Sequence, residues 1–235
     1  MIIGASSGIG EQLARLLVQD GYRVAITGRR EGLLKTISES FQDKMIFSVF
    51  DVKETEVVES HLEALSAELG GCDLFIISAG TGDINDALDF EIEKNIIDTN
   101  VLGFTCLADW AFRYFQRQSF GHLVAISSVA GLRGFRGAPA YNASKAYQIN
   151  YLESLRQKAK KIKLPIGVSD MRPGFVNTKM AKGPKQFWVS SPEKAAGQIL
   201  AGIRRKRKVV YITRRWQLIG ILLSILPRMI YDKCK

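Results

Sequence analysis

The chain has 235 residues, 46% hydrophobic and 24% charged, values that suit one large α/β domain and exclude a disordered or collagen-like chain. Its net charge of +10 is unevenly placed: residues 204–235 carry ten Lys and Arg against Asp232 alone, leaving about +1 for residues 1–203. A basic terminus on a nearly neutral body speaks for an attachment point and against a polyanion groove.

Cys72, Cys106 and Cys234 are scattered, with no metal-ligand or C-x-x-C spacing, so idle thiols, no metal and a reducing compartment are expected. No secretory leader is expected, because Met1-Ile2-Ile3 runs straight into a glycine turn; whether residues precede Met1 stays open.

Short apolar runs alternate with longer amphipathic stretches, which predicts an α/β fold with a doubly wound parallel sheet of seven strands. The first strand, Met1–Ile3, is followed by Gly4-Ala5-Ser6-Ser7-Gly8-Ile9-Gly10 and a helix over 8–20. A glycine turn between strand and helix suits a pyrophosphate, which backbone N–H groups and the positive helix end can hold; a plain tight turn is the alternative. The second strand, 22–27, ends in Thr27-Gly28-Arg29-Arg30 with no acid for a ribose 2′-hydroxyl. Arg29 and Arg30 suit a 2′-phosphate, so NADPH is favoured over NADH.

A helix over 31–40 and a third strand over 45–50 lead to Asp51-Val52, which can bond an adenine or cap the next helix, 54–69. The fourth strand, 74–78, precedes Ala79-Gly80 and a helix over 92–118. The fifth, 122–127, precedes Ser128 and a helix over 139–161. Strands over 166–171 and 209–213 flank a helix over 192–204. Right-handed crossovers bring the strand C-termini, and all these loops, to one edge.

On the helix over 139–161, Tyr141 and Lys145 are four apart and share a face, so an ammonium can sit beside a phenol and favour its ionised form. A phenol so placed can pass a proton to a carbonyl oxygen while hydride reaches the carbon. Ser128 can hold that oxygen, with Ser127 as a lower-ranked rival still inside the strand. Asn100 can anchor a water that links Lys145 to solvent.

As a set, these motifs resemble the short-chain dehydrogenase/reductase family over residues 1–213, the single Rossmann domain, with 214–235 as a C-terminal extension. The resemblance implies a tetrad of Asn100, Ser128, Tyr141 and Lys145, with Lys145 and Tyr141 also contacting the cofactor. It implies phosphate contacts from Gly4, Ser6, Ser7, Gly8, Ile9 and Gly10, adenine at Asp51 and Val52, and backbone approach at Ala79 and Gly80. Pro173, Gly174, Val176 and Thr178 fall near the nicotinamide. It further implies a homodimer or homotetramer built on the long helices. Ser78 departs from the family's Asn at that place, which should touch stability more than activity.

The segment 173–191, which the resemblance makes the family's variable substrate loop, carries Phe175, Met180, Phe187 and Trp188, and Leu132 and Phe135 lie beyond Ser128; a lipophilic substrate is favoured over mere lid packing. In the tail, Arg214 to Arg228 enclose an apolar run too short to span a bilayer. An interfacial helix on an anionic membrane is favoured, with Trp216 and Tyr231 at headgroup depth and the basic cluster drawn to lipid; subunit packing is the rival and nucleic acid is disfavoured. The expectation is a cytoplasmic, peripherally attached NADPH-dependent carbonyl reductase acting on a small-molecule ketone, aldehyde or alcohol, with an idle NADPH-binding scaffold as the alternative.

Overall fold

Successive side chains on a strand leave opposite faces of the pleat, and in the central strands of this chain both sets are apolar and buried. The computed structural model describes residues 1–178, 180 and 187–231, the side chains of Arg214 and Arg228 excepted. It contains a seven-stranded parallel sheet of strands β1 (Ile2–Ile3), β2 (Val24–Gly28), β3 (Met45–Val49), β4 (Leu74–Ile77), β5 (Gly121–Ile126), β6 (Ile166–Pro173) and β7 (Val209–Ile212). The spatial order is β3-β2-β1-β4-β5-β6-β7. Chain direction across the sheet reverses between β1 and β4, the place where a crevice opens beyond the strand C-termini.

Two helical layers cover the faces. Helices α1 (Gly8–Gln19), α2 (Glu31–Glu39) and α7 (Pro192–Arg204) bury Leu13, Leu34 and Ile199 with Ile2, Ile26 and Ile76. Helices α3 (Thr55–Leu69), α5 (Phe104–Gln118) and α6 (Pro139–Ile162) bury Leu62, Trp110 and Leu152 with Ile3, Phe75 and Ile77. Each such side chain contributes about 1.5–3 kcal/mol on leaving water. Local signals set the ends: Gly70 stops α3 at φ 77°, Pro139 and Pro192 begin α6 and α7, and the Ser191 hydroxyl accepts from the Lys194 N–H at 3.2 Å.

The helix expected over 92–118 is in fact α4 (Phe90–Ile97), a π-helical segment (Asp98–Gly103) and α5. One widened turn interrupts the α register there, a change that leaves the apolar periodicity on either side intact.

Beyond β7 the chain forms α8 (Arg214–Ile225) and α9 (Arg228–Tyr231). No helix among the described residues is long and apolar enough to cross a membrane. Topology also separates two parts of the tail that the sequence runs together. Arg204 to Lys208 precede β7 and α8 follows it, so four strand residues, about 13 Å at the usual rise, put the basic cluster at the sheet edge opposite α8. Arg204 there pairs with Asp20 at the end of α1. Lys233, Lys235, Asp232 and Cys234 lie outside the described residues, as do Lys179 and residues 181–186 of the loop. Cys72 and Cys106 are free thiols.

Candidate active site

The turn after β1 is held by two N–H groups, of Gly4 and Ala5, that both donate to the Thr27 carbonyl, at 3.0 and 2.9 Å. Glycine is required sterically: a Cβ on Gly4, which has φ +88°, would stand 2.5 Å from the Ala79 nitrogen, and one on Gly10 would stand 2.2 Å from the Gly4 oxygen. Ser7 precedes α1 without capping it through its side chain. Its hydroxyl instead accepts from Arg30 Nη2 at 2.7 Å, and Arg30 Nε and Nη2 donate to the Ser6 hydroxyl at 3.1 and 2.7 Å. Arg29, with a side chain 63% exposed, donates to Asp51 Oδ2 at 3.2 Å, while the Lys53 N–H takes Oδ1. Of the two arginines it is Arg30 that leans over the glycine turn. Val52 is buried, its carbonyl 2.7 Å from where a Cβ on Gly103 would lie.

The same crevice holds the second group of expected residues. Ser128 starts a 3-10 turn beyond β5; its hydroxyl accepts from the Ala130 N–H at 3.1 Å, donates to the Pro173 carbonyl at 3.3 Å, and shares the cleft with Tyr141. Tyr141, in the first turn of α6, packs its ring against Gly82, where a Cβ would come within 2.6 Å. Lys145 lies one turn on, buried, with Nζ 5.8 Å from the Tyr141 ring centroid. Ser127, by contrast, turns into the protein and donates to the buried Asp170 carboxylate.

Electrostatically the pair differs from the sequence expectation. Burial pushes the Tyr141 phenol above its ordinary value, and the neighbouring Ser128 hydroxyl opposes this. Burial brings the Lys145 ammonium down to about 8, with Asp170 opposing. A depressed phenol was expected from the neighbouring ammonium. Here Nζ donates to the Ile126 carbonyl at 3.1 Å and to Gln148 Oε1 at 2.9 Å, and burial of the phenol is the larger effect. Asn100, in the π-helical segment, commits its side chain to Thr81 N–H (2.9 Å), Thr81 carbonyl (2.7 Å) and Ser144 hydroxyl (3.0 Å). Its backbone carbonyl accepts from Gln148 Nε2 at 2.9 Å, which ties it to Lys145 through a side chain the sequence reading did not single out.

Ala79 and Gly80 form the wall between these two groups; a Cβ on Gly80 would lie 3.3 Å from Asn100 Oδ1. Beyond β6, Gly174 N–H donates to Ile212 carbonyl at 2.7 Å, Val176 bridges Ser190, and Thr178 reaches to within 3.2 Å of a Cβ position on Gly8. The segment from Pro173 to Thr178 therefore closes back over the start of α1. The resulting cleft is about 870 Å³ and is lined by every site residue expected from the sequence except Asn100, which stands behind Gly80, and Gly10, inside the turn. Its glycine-lined cradle and the paired arginines at one end fit a dinucleotide phosphate chain.

Three lining residues come from the tail: Trp216, Leu223 and Tyr231. Trp216 and Tyr231, expected at a headgroup layer, instead serve the protein. Trp216 is 5% exposed, lies over Gly174 and stacks on Phe187 with centroids 5.2 Å apart, while the Tyr231 hydroxyl donates to the Gly134 carbonyl at 2.6 Å. Arg133 fastens the helix by donating to the Leu223 carbonyl at 2.7 Å and to that of Leu226. The sequence signal for Trp216 was Gly174, whose missing side chain makes room for an indole, but that pairing spans 42 residues. For Gln148 it was the position three residues after Lys145, on the buried face.

A family model described as short chain dehydrogenase matches residues 1–187. An uncharacterized oxidoreductase from Myxococcus xanthus (strain DK1622) is 36% identical over 185 residues, covering 77% of this chain and 72% of its own. One from Staphylococcus aureus (strain N315) is 28% identical over 214 residues, covering 89% and 92%. Among solved structures, the closed form of a serine dehydrogenase complexed with NADP+ superposes with a TM-score of 0.81 at 23% identity, over 90% of this chain and 94% of that one. A short-chain dehydrogenase from Streptomyces avermitilis gives 0.82 at 22% identity, over 95% and 89%. The match over most of the chain, on a sheet whose crevice carries the expected residues, establishes that this protein belongs to the short-chain dehydrogenase family and is an NAD(P)-dependent oxidoreductase.

Proposed function

We propose that this enzyme uses NADPH to reduce a lipophilic ketone or aldehyde reversibly to its alcohol, with Tyr141 as general acid and base. The observation that carries this reading is the cleft that begins at the glycine turn and brings together Ser128, Tyr141 and Lys145, whose Nζ stands 5.8 Å from the Tyr141 ring centroid. Reduced nicotinamide supplies the hydride when bound. Ser128 orients the substrate oxygen. Tyr141 gives that oxygen its proton, and burial, by keeping the phenol protonated at neutral pH, suits this direction. Lys145 holds positive charge near the phenolate that remains, and Asn100 braces the strand β4 loop against α6. Gly4, Ser6, Ser7, Gly8, Ile9 and Gly10 receive the pyrophosphate, Arg29 and Arg30 the 2′-phosphate, and Asp51 and Val52 the adenine. Ala79 and Gly80 admit the ribose, and Pro173, Gly174, Val176 and Thr178 face the nicotinamide.

The apolar preference is supported by Phe175 and Trp216, which line the cleft and pack edge and face with Phe187 and Trp188. A panel of ketones and aldehydes followed by NADPH absorbance tests the reading. Turnover is expected to rise with the apolar size of the carbonyl substituents; saturable NADPH binding with no turnover of any carbonyl or alcohol would reject it in favour of the idle scaffold.

In the same reading residues 1–213 are the catalytic body, assembled as a homodimer or homotetramer, and 214–235 an extension that both walls the cleft and meets an anionic membrane surface. Support for the second role has narrowed to the outward face of α8 and α9, where Leu218, Ile225 and Met229 are 71%, 72% and 80% exposed. Phosphatidylserine vesicles should pellet the full chain but not a Leu218→Asp/Ile225→Asp variant; equal pelleting would remove the lipid role.

A further inference from the structure

The side chain between Asn100 and Lys145 has no part in the roles assigned so far. Gln148 is 1% exposed, and its amide spans two elements: Oε1 accepts from Lys145 Nζ and Nε2 donates to the Asn100 carbonyl, each at 2.9 Å. That orientation is forced, since an ammonium only donates and a carbonyl only accepts. Lys145 has three N–H donors; Ile126 and Gln148 take two, and Gly80, in the cleft wall 3.6 Å from Nζ at its Cβ position, is the neighbour on the open side.

We propose that Gln148 is a positioning residue for the reaction, an amide strut between the π-helical segment and Lys145 that aims the remaining ammonium N–H into the cleft. The inference rests on the reading of Tyr141 and Lys145 as the proton-transfer pair. The widened turn over 98–103 gains a purpose here, because it carries the carbonyl that anchors the strut.

The charged and titratable groups facing Lys145 are few. Tyr141 is on its own helix, and Asp170 on β6 is paired at 2.6 Å with Arg172. The π-helical segment, β5 and the loop after β4 present neutral groups, namely Asn100, the Ile126 carbonyl and Gly80. An amide replaced by a carboxylate would therefore dominate the local field.

The test compares Gln148→Met, of similar length without polar atoms, and Gln148→Glu with the full-length wild type and with Tyr141→Phe. Each is assayed for NADPH-linked reduction of a carbonyl turned over by the wild type. For Gln148→Met we expect kcat to fall about tenfold or more, as befits one charge-assisted hydrogen bond, with little change in carbonyl KM. The alkaline limb of its pH profile should move to lower pH. Gln148→Glu should recover much of kcat and move that limb upward by about one unit or more, since an adjacent opposite charge favours the ammonium.

Wild-type kcat and an unmoved limb in Gln148→Met would overturn the proposal. So would equal slowing in both variants with neither limb moved, which marks a packing role. Should the Met variant melt below the assay temperature, an unmoved limb in Gln148→Glu decides against the proposal alone. Wild-type turnover in Tyr141→Phe would instead sink the underlying reading, whatever Gln148 does.

Discussion

Tyr141→Phe should lose about three orders of magnitude in kcat, inside the range removed with a general acid, while NADPH affinity by fluorescence titration stays at the wild-type level. The ring remains to fill the space against Gly82, so neither fold nor cofactor seat loses a contact; only the hydroxyl is removed. The pH profile of the wild type supplies a second check. The phenol is pushed up by burial and so stays protonated through neutral pH, whereas Lys145, brought down to about 8, loses its proton first as pH rises. Reduction should therefore be flat near neutrality and fall above about pH 8. A Phe variant within about tenfold of wild type would show that the proton comes from elsewhere.

Arg29→Asp should lower kcat/KM with NADPH about 10- to 100-fold and raise the relative use of NADH, the magnitude expected when a charge-assisted phosphate contact is exchanged for repulsion. Asp51 sharpens the effect: it now pairs with Arg29, and the substitution would put two carboxylates where a 2′-phosphate is meant to sit. Arg30→Gln separates the two arginines. Its fork lies across Ser6 and Ser7, closer to the pyrophosphate turn, so a comparable loss with NADPH is expected, with no gain for NADH because no acceptor is introduced. Initial rates with both cofactors decide; an unchanged NADPH-to-NADH ratio in both variants would remove the 2′-phosphate assignment.

What could be read without coordinates was whatever short-range sterics dictate. Gly4 and Gly10 are glycine because backbone lies 2.5 Å or less from their missing Cβ atoms, and the seven strands followed from continuous apolar runs that only a doubly covered sheet can bury. Tyr141 and Lys145 were legible because one helix sets their spacing. The unread features depend on partners distant in sequence. Trp216 resembles a membrane anchor until Gly174 is found beneath it; Gln148 resembles any polar helix residue until the Asn100 carbonyl, 48 positions earlier, is found at its amide. The π-helical turn was hidden for a different reason: a single additional residue barely disturbs a 3.6-residue pattern.

The wall that α8 contributes to the cleft has a bearing on how far kinship can guide assignment. The family match stops at residue 187, yet Trp216, Leu223 and Tyr231 all lie past it and all border the space a substrate would fill. Part of the wall of that space is thus written beyond the stretch the family shares, while the glycine turn, Tyr141 and Lys145 are written within it. Exchanging α8 between cousins is expected to alter which carbonyl is accepted more than the chemistry done on it.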